Sequence, residues 1–398
     1  MAGPPLTVDL RLFYTIKIKG TAGWLILRQC LCSMAGKETS MADPSKFRGT
    51  LLGGACGDAL GFPVEKLTVR RIAAQFGPFG LRTMVRKAKN KRRAIVSDDT
   101  QMMLASADGL LWAAAKDLPT AEGLYRGYMR WYYCQTGEEP RKGQRTWLRR
   151  QAHEKDFCLI RELFMHTRRD PEDVSLTALN GETRGSLSSK LNDSKGSGVL
   201  LRTVPIGLYR AGDGESAFQE GMESAALTHS HKTALIAAGA AAALIAFVVG
   251  GFTLPKALDQ VTRILSRLEG SDETEALLTA AVEDANRQPA GTGKPWQYLD
   301  CIRSLGSGRS AHEALAIAVF CALVSDDPVE AVIIAANHSG KSDTTAAFCG
   351  ALEGARFGMR YLPSSWTEYL EGKDVILAMA EKLYHTHEKL RAYTGAAV

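Results

Sequence analysis

The sequence predicts an all-α fold, and three observations carry that expectation. Beyond Asp43, apolar residues recur at three- and four-residue spacing through most of the chain, the pattern of a helix that buries one face. Short runs of Gly, Pro, Asp or Ser separate these segments, as helix ends require. No linker or shift of composition interrupts residues 45–395. A length of 398 residues would suit two or three domains, yet this continuity favours a single compact multi-helix domain over 43–395.

Taken in order, residues 6–18 alternate strictly, with Leu6, Val8, Leu10, Leu12, Tyr14, Ile16 and Ile18 on one side, which is a β-strand signature. Residues 1–42 are therefore expected to form a separate N-terminal extension. It is either a partner-binding arm or an over-long start upstream of an internal Met such as Met34 or Met41. Asp43-Pro44 reads as an N-cap followed by proline at the first helical position. Helical periodicity then covers 99–116, 120–134, 215–227, 232–250, 254–268, 273–286, 311–324, 328–337 and 343–357. Residues 234–251 run for 18 positions without a charge, long enough to be weighed as a membrane span. They are mostly Ala and Gly, which let helices approach closely, so a central core helix is expected and no membrane partner.

Composition narrows the class. Hydrophobic residues at 45% and charged residues at 23% exclude disorder and fibrous repeats. A net charge of +6 is too small to imply a nucleic-acid partner. The eight cysteines are scattered with no zinc spacing, the pattern of small buried apolar side chains in a reducing, cytoplasmic setting. Residues 22–35 hold a short apolar run, but Arg28 and Gln29 interrupt it, which argues against an export signal.

Four stretches carry more polar chemistry than packing requires. In the first, residues 53–65, small residues at 49, 53, 57 and 61 follow the i, i+4 row of a helix; close packing explains them but not Asp58 and Glu65. The second, Ser97-Asp98-Asp99-Thr100, opens an apolar helix. Its oxygens suit capping and suit Mg²⁺ equally. Ser325-Asp326-Asp327-Pro328 repeats the triplet where capping suffices, so the first triplet alone is weak support for metal. The third, residues 337–347, places Asp343 and Thr344 at another helix start. The fourth, residues 192–198, is Gly- and Ser-rich and could offer N–H groups to phosphate, or be a plain surface turn.

Taken together with Thr228-His229-Ser230-His231, these stretches resemble the ADP-ribosylglycohydrolase family in order and spacing from about residue 45 to 360. The resemblance implies an all-α hydrolase with two Mg²⁺ ions that frees ADP-ribose from protein side chains, most often arginine. Carried over, Ser97, Asp98, Asp99, Asp343 and Thr344 are metal ligands, and Glu65 and Asp99 are catalytic. Ser194, Gly196, Ser197, Gly198 and His229 contact substrate. The implied partner is an ADP-ribosylated protein.

One position departs from that pattern. Lys341 stands where the family has an acidic ligand, changing the local charge by two, so one Mg²⁺ instead of two, a displaced lysine, or loss of turnover are all expected outcomes. The competing reading is an immunity protein that blocks an ADP-ribosyltransferase toxin. Lys341 and the strand-like arm favour it. The basic segment Arg82, Arg86, Lys87, Lys89, Lys91, Arg92 and Arg93 is either a solvated loop or a docking surface for anionic substrate near the cleft.

Overall fold

Asp43 opens the first helix as its sequence suggests: Asp43 Oδ1 accepts from Ser45 N at 2.8 Å, and Pro44 sits in the first turn of α1 (Pro44–Gly61). The computed structural model describes residues 42–86, 93–139, 141–289 and 294–395. The strand expected at 6–18, Cys30, Cys32 and the basic residues 87–92 lie outside them.

After α1 come α2 (Val69–Phe76), α3 (Asp98–Lys116), α4 (Thr120–Thr136) and the short α5 (Asp173–Asn180). The chain continues through α6 (Val204–Tyr209), α7 (Gly214–Ala226), α8 (Lys232–Val249), α9 (Leu254–Leu265) and α10 (Asp272–Arg287). It ends with α11 (Leu299–Leu305), α12 (Ala311–Val324), α13 (Pro328–Ala336), α14 (Ser342–Phe357), α15 (Ser364–Thr367) and α16 (Lys373–Gly395). Among the described residues, β-structure is limited to two isolated bridges, Ala94 with Leu370 and Gly196 with Ser310. The fold is all-α, as expected, and the helical segments read from periodicity fall within a few residues of the observed ones.

The glycine row of α1 packs against a helix. A Cβ on Gly57 would lie 1.9 Å from the Ala346 carbonyl oxygen, and one on Gly61 would lie 2.1 Å from that of Ser342. Backbone therefore meets backbone along α1 and α14, which brings the C-terminal end of α1 against the N-terminal end of α14. The charge-free stretch forms α8, long and apolar enough to cross a membrane but 94% buried by the surrounding helices. Cys56, Cys134, Cys158, Cys301, Cys321 and Cys349 are free, and all but Cys301 are buried. Asp327 caps α13 through Val329 N at 2.8 Å and is exposed, so the second Ser-Asp-Asp triplet is a cap.

The segment between α4 and α5 lacks periodicity and is pinned by a buried ion-pair network. Arg130 donates to Asp108 Oδ2 at 2.7 Å and to Glu154 Oε1 at 2.9 Å, while His153 Nε2 meets Asp108 Oδ1 at 2.7 Å. The ligand atoms of Asp108, His153 and Glu154 lie within 4.8 Å of one another, a spacing that could hold a metal ion. Here the Arg130 guanidinium supplies the positive charge. Arg130→Met is expected to destabilise the fold by about 3 kcal/mol, because two buried carboxylates lose their counter-ion. Urea unfolding at neutral pH checks this; a change below about 1 kcal/mol would mean the network contributes little.

Candidate active site

Three helix ends converge on one group of carboxylates. Ser97 is the N-cap of α3: its Oγ accepts from Asp99 N at 3.1 Å, while Ser97 N and Thr100 Oγ1 both donate to Asp58 Oδ2, at 2.9 and 2.5 Å. Asp58, on α1, is thus the post that holds the Ser-Asp-Asp-Thr turn. From α14, Thr344 Oγ1 donates to Asp99 Oδ2 at 2.7 Å, and Thr344 N donates to Asp343 Oδ1 at 2.8 Å. Lys341 Nζ reaches Glu65 Oε1 at 2.8 Å and Asp343 Oδ2 at 3.2 Å. The predicted residues of three stretches, Glu65, Ser97, Asp98, Asp99, Lys341, Asp343 and Thr344, are thereby gathered at one place.

The electrostatics are those of an anion-rich cluster short of positive charge. Burial first, and then the neighbouring charge of Asp99, push Asp58 up to about 8. Burial raises Asp343 to about 6 even though Lys341 opposes it. Asp98, Asp99 and Glu65 are likewise raised chiefly by burial, each partly relieved by Lys341. Burial would lower the Lys341 ammonium, but Asp343, Asp99 and Glu65 hold it above its usual range. Asp58 Oδ1 and Glu65 Oε2 are buried without a hydrogen-bond partner. Buried carboxylate and hydroxyl oxygens of this kind, two of them without a partner, are the hard donors that a divalent cation takes. At the Glu65 end the ammonium already occupies the contact.

A second set of contacts forms around the 192–198 loop. Gly196 N donates to Ser194 Oγ at 3.1 Å, Ser197 N to Arg309 O at 3.1 Å, and Gly198 N to Glu172 Oε1 at 3.3 Å. His229 is fully buried, with Nδ1 2.9 Å from Thr228 Oγ1 and Nε2 3.4 Å from Glu172 Oε2. Arg202 fixes both flanks by donating to Gly198 O and to Thr228 Oγ1, each at 2.8 Å. Glu172 N lies 3.4 Å from Asp98 Oδ2, so this loop and the carboxylate cluster share a border. Sequence reasoning missed Glu172. Its one signal was an acidic residue opening a short helix, which is equally the mark of an ordinary first turn.

Of the basic segment, Arg82 pairs with Glu330, Arg86 lies over the Tyr369 ring at 4.1 Å, and Arg93 Nη1 is 3.4 Å from Leu370 O. These three are tied to the fold. A cavity of about 410 Å³ opens beside Glu65, lined also by Phe62, Leu67, Arg168 and Asp170.

The loop that presents Lys341 depends on a buried histidine. His338 Nε2 is 2.8 Å from Thr345 Oγ1, its Nδ1 has no partner, and burial lowers its pKa from 6.5 to about 4. The unfolded chain therefore binds a proton between those values that the folded chain refuses. The corresponding stability is complete above about pH 6.5 and is lost as pH falls toward 4. Wild type is expected to lose on the order of 2–3 kcal/mol more than His338→Gln between pH 7 and 4.5 in urea unfolding. Parallel losses in the two proteins would show that His338 is not the responsible group.

Comparison with known proteins gives the family. The sequence profile described as ADP-ribosylglycohydrolase matches residues 39–392. The chain belongs to the ADP-ribosylglycohydrolase family. One relative is an ADP-ribosylarginine hydrolase, Tri1, from Pseudomonas putida, 24% identical over 96% of this chain and 89% of that protein. Another is the ADP-ribosyl-[dinitrogen reductase] glycohydrolase of Rhodospirillum rubrum, 23% identical over 83% of this chain and 95% of the relative. An uncharacterized protein of Archaeoglobus fulgidus is 27% identical over 87% of this chain and 98% of its own length. A solved structure titled an ADP-ribosylglycohydrolase-related protein complex aligns with a TM-score of 0.56 at 21% identity, covering 86% of this chain and 98% of that one, and shares the fold. Membership in the ADP-ribosylglycohydrolase family indicates a glycohydrolase acting on ADP-ribosylated substrates.

Proposed function

We propose that this chain is a Mg²⁺-dependent, cytoplasmic hydrolase that removes ADP-ribose from arginine side chains of modified proteins. The observation that carries it is the convergence of Asp98, Asp99, Asp343 and Thr344 with Glu65 at the ends of α1, α3 and α14. Asp98, Asp99, Asp343 and Thr344, with Ser97 at the turn, would hold the cation. Bound there, a divalent ion supplies Lewis-acid stabilisation of developing charge and binds hard oxygens. Asp99 accepts a proton, its affinity for one raised by burial. Glu65 borders the cavity with one carboxylate oxygen unpartnered and can take the same role on the leaving-group side. The 194–198 loop and His229 orient the ADP-ribosyl part. The arginine acceptor is supported by the name of the Tri1 relative.

Release of ADP-ribose from an ADP-ribosyl-arginine protein tests this, with chelator, with Mg²⁺ restored, and with an ADP-ribosyl-serine protein alongside. Arginine-linked release that falls at least about 100-fold with chelator and returns with Mg²⁺ is expected. Release unaffected by chelator, or confined to serine, would sink the metal or the acceptor assignment respectively. Lys341 favours a second reading, a protein that blocks an ADP-ribosyltransferase toxin. Deleting residues 1–40 separates the two: a blocker loses protection while hydrolysis survives.

A further inference from the structure

The donors on the loop side of the site are already holding an oxyanion, and it belongs to the chain itself. Glu172 presents Oε1 to Gly198 N at 3.3 Å and Oε2 to His229 Nε2 at 3.4 Å, with Ser175 Oγ donating to Oε2 at 3.3 Å. The Thr228 hydroxyl, which accepts from Arg202, lies 2.9 Å from His229 Nδ1 and 3.5 Å from Ala225 O; assigning its proton to the shorter contact puts the His229 proton on Nε2, facing Glu172. That nitrogen is buried and makes no hydrogen bond of good geometry. The glycines provide the room: a Cβ on Gly196 or on Gly198 would lie 2.5 Å from a Glu172 oxygen. All three carboxylate contacts exceed the usual 2.9–3.0 Å of an N–H···O bond or 2.7–2.8 Å of an O–H···O bond; burial disfavours the charge, yet His229, Arg202 and Gly198 N hold the Glu172 carboxyl down to about 2, so the occupant is an anion that competes for these donors. It also has a way out, because its side chain is 28% exposed.

We propose that Glu172 is a built-in competitor for an oxyanion ligand, seated where a phosphate of the ligand binds and displaced from it on entry. Identifying that oxyanion as the diphosphate of ADP-ribose rests on the function proposed above; the competition itself does not. A carboxylate and a phosphate present similar oxygens to the same N–H donors, so the two occupy the cradle alternately. Glu172 stands next to Asp98 and adds to the repulsion there, raising both Asp98 and Asp99. Its rotation outward therefore removes negative charge from the border at the moment a phosphate brings charge in. The consequence is a filter. A ligand offering only phosphate must spend part of its affinity on the displacement, while one with further contacts to the site overcomes it.

Calorimetric titration of wild type, Glu172→Gln and Glu172→Ala with inorganic pyrophosphate, ADP-ribose and adenosine tests the proposal. Glu172 makes no side-chain cap to α5, so neither variant removes a helix cap. Glu172→Gln also keeps the shape should Glu172→Ala fail to fold. Pyrophosphate and ADP-ribose should each bind about tenfold or more tightly to Glu172→Ala, with Glu172→Gln between, and adenosine should be unchanged. The KM for an ADP-ribosylated substrate should fall more than kcat changes. Pyrophosphate affinity that is equal in all three proteins, or weaker in the variants, overturns the proposal: the ligand then binds elsewhere or uses Glu172 directly. Pyrophosphate that tightens while ADP-ribose binds to no variant supports the competition and counts against the function proposed above.

Discussion

Asp99→Asn is expected to lower the proposed hydrolysis on the order of 10³-fold while leaving the fold as stable as wild type or about 1 kcal/mol more stable. The two halves of that result have one cause. Asp99 is only 4% exposed, and burial, assisted by the charge of Glu172, disfavours its ionised form. Asparagine keeps an oxygen that can accept from Thr344 Oγ1, now at 2.7 Å from Asp99 Oδ2, so the helix ends stay joined. What disappears is a negative charge in a cluster that holds too many. A residue present for packing would show the opposite balance, little loss of activity and a clear loss of stability. Rate measurements and urea unfolding on the same preparation discriminate. A rate loss below tenfold, or a destabilisation above about 2 kcal/mol, would make Asp99 structural.

The contrast between the two Ser-Asp-Asp triplets shows what the sequence can and cannot convey. Both cap helices, and both satisfy the same local rules of hydroxyl and carboxylate before an apolar run. Pro328 marks the second triplet as a cap, and the structure adds what the first one meets: Asp327 is exposed at a surface helix start, whereas Asp98 and Asp99 are buried and Asp99 accepts from a second helix end. Helices α3, α8, α12 and α14 were legible because each buries apolar residues at helical spacing between clear punctuation. The 141–170 segment was not, since its turns are held by side chains distant in sequence. Gln135 Nε2 donates to Met165 O at 2.6 Å, and Glu154 accepts from Arg130. Periodicity carries no trace of such bonds. Glu172 was hidden for a related reason, its meaning arising only from the Gly198 and His229 donors that the fold brings to it. Lys341 was legible as a departure from a family pattern, but its pairing with Glu65 joins residues 276 positions apart.

That pairing leads to the second large effect. Lys341→Asp is expected to make the fold depend on Mg²⁺ and to add one bound ion relative to wild type. The ammonium now lies 2.8 Å from Glu65 and 3.2 Å from Asp343 and reaches Asp99 and Asp98 through its field. Exchanging it for a carboxylate turns the local charge more negative by two within a buried space. Without divalent ions the cost should be about 3–5 kcal/mol, the scale of a buried charge deprived of its partner. With Mg²⁺ at 100 times its dissociation constant, binding to the folded state returns about 2.7 kcal/mol. Calorimetric titration gives the number of ions, and thermal unfolding with and without Mg²⁺ gives the linkage. Lys341→Met removes the cation without offering a ligand, so it should be destabilised without gaining an ion. Equal ion counts and equal Mg²⁺ dependence in wild type and Lys341→Asp would mean that the ammonium does not stand in for a metal. An additional ion in Lys341→Asp alone would mean that this chain neutralises half of its carboxylate cluster with its own lysine and leaves the other half to the solution.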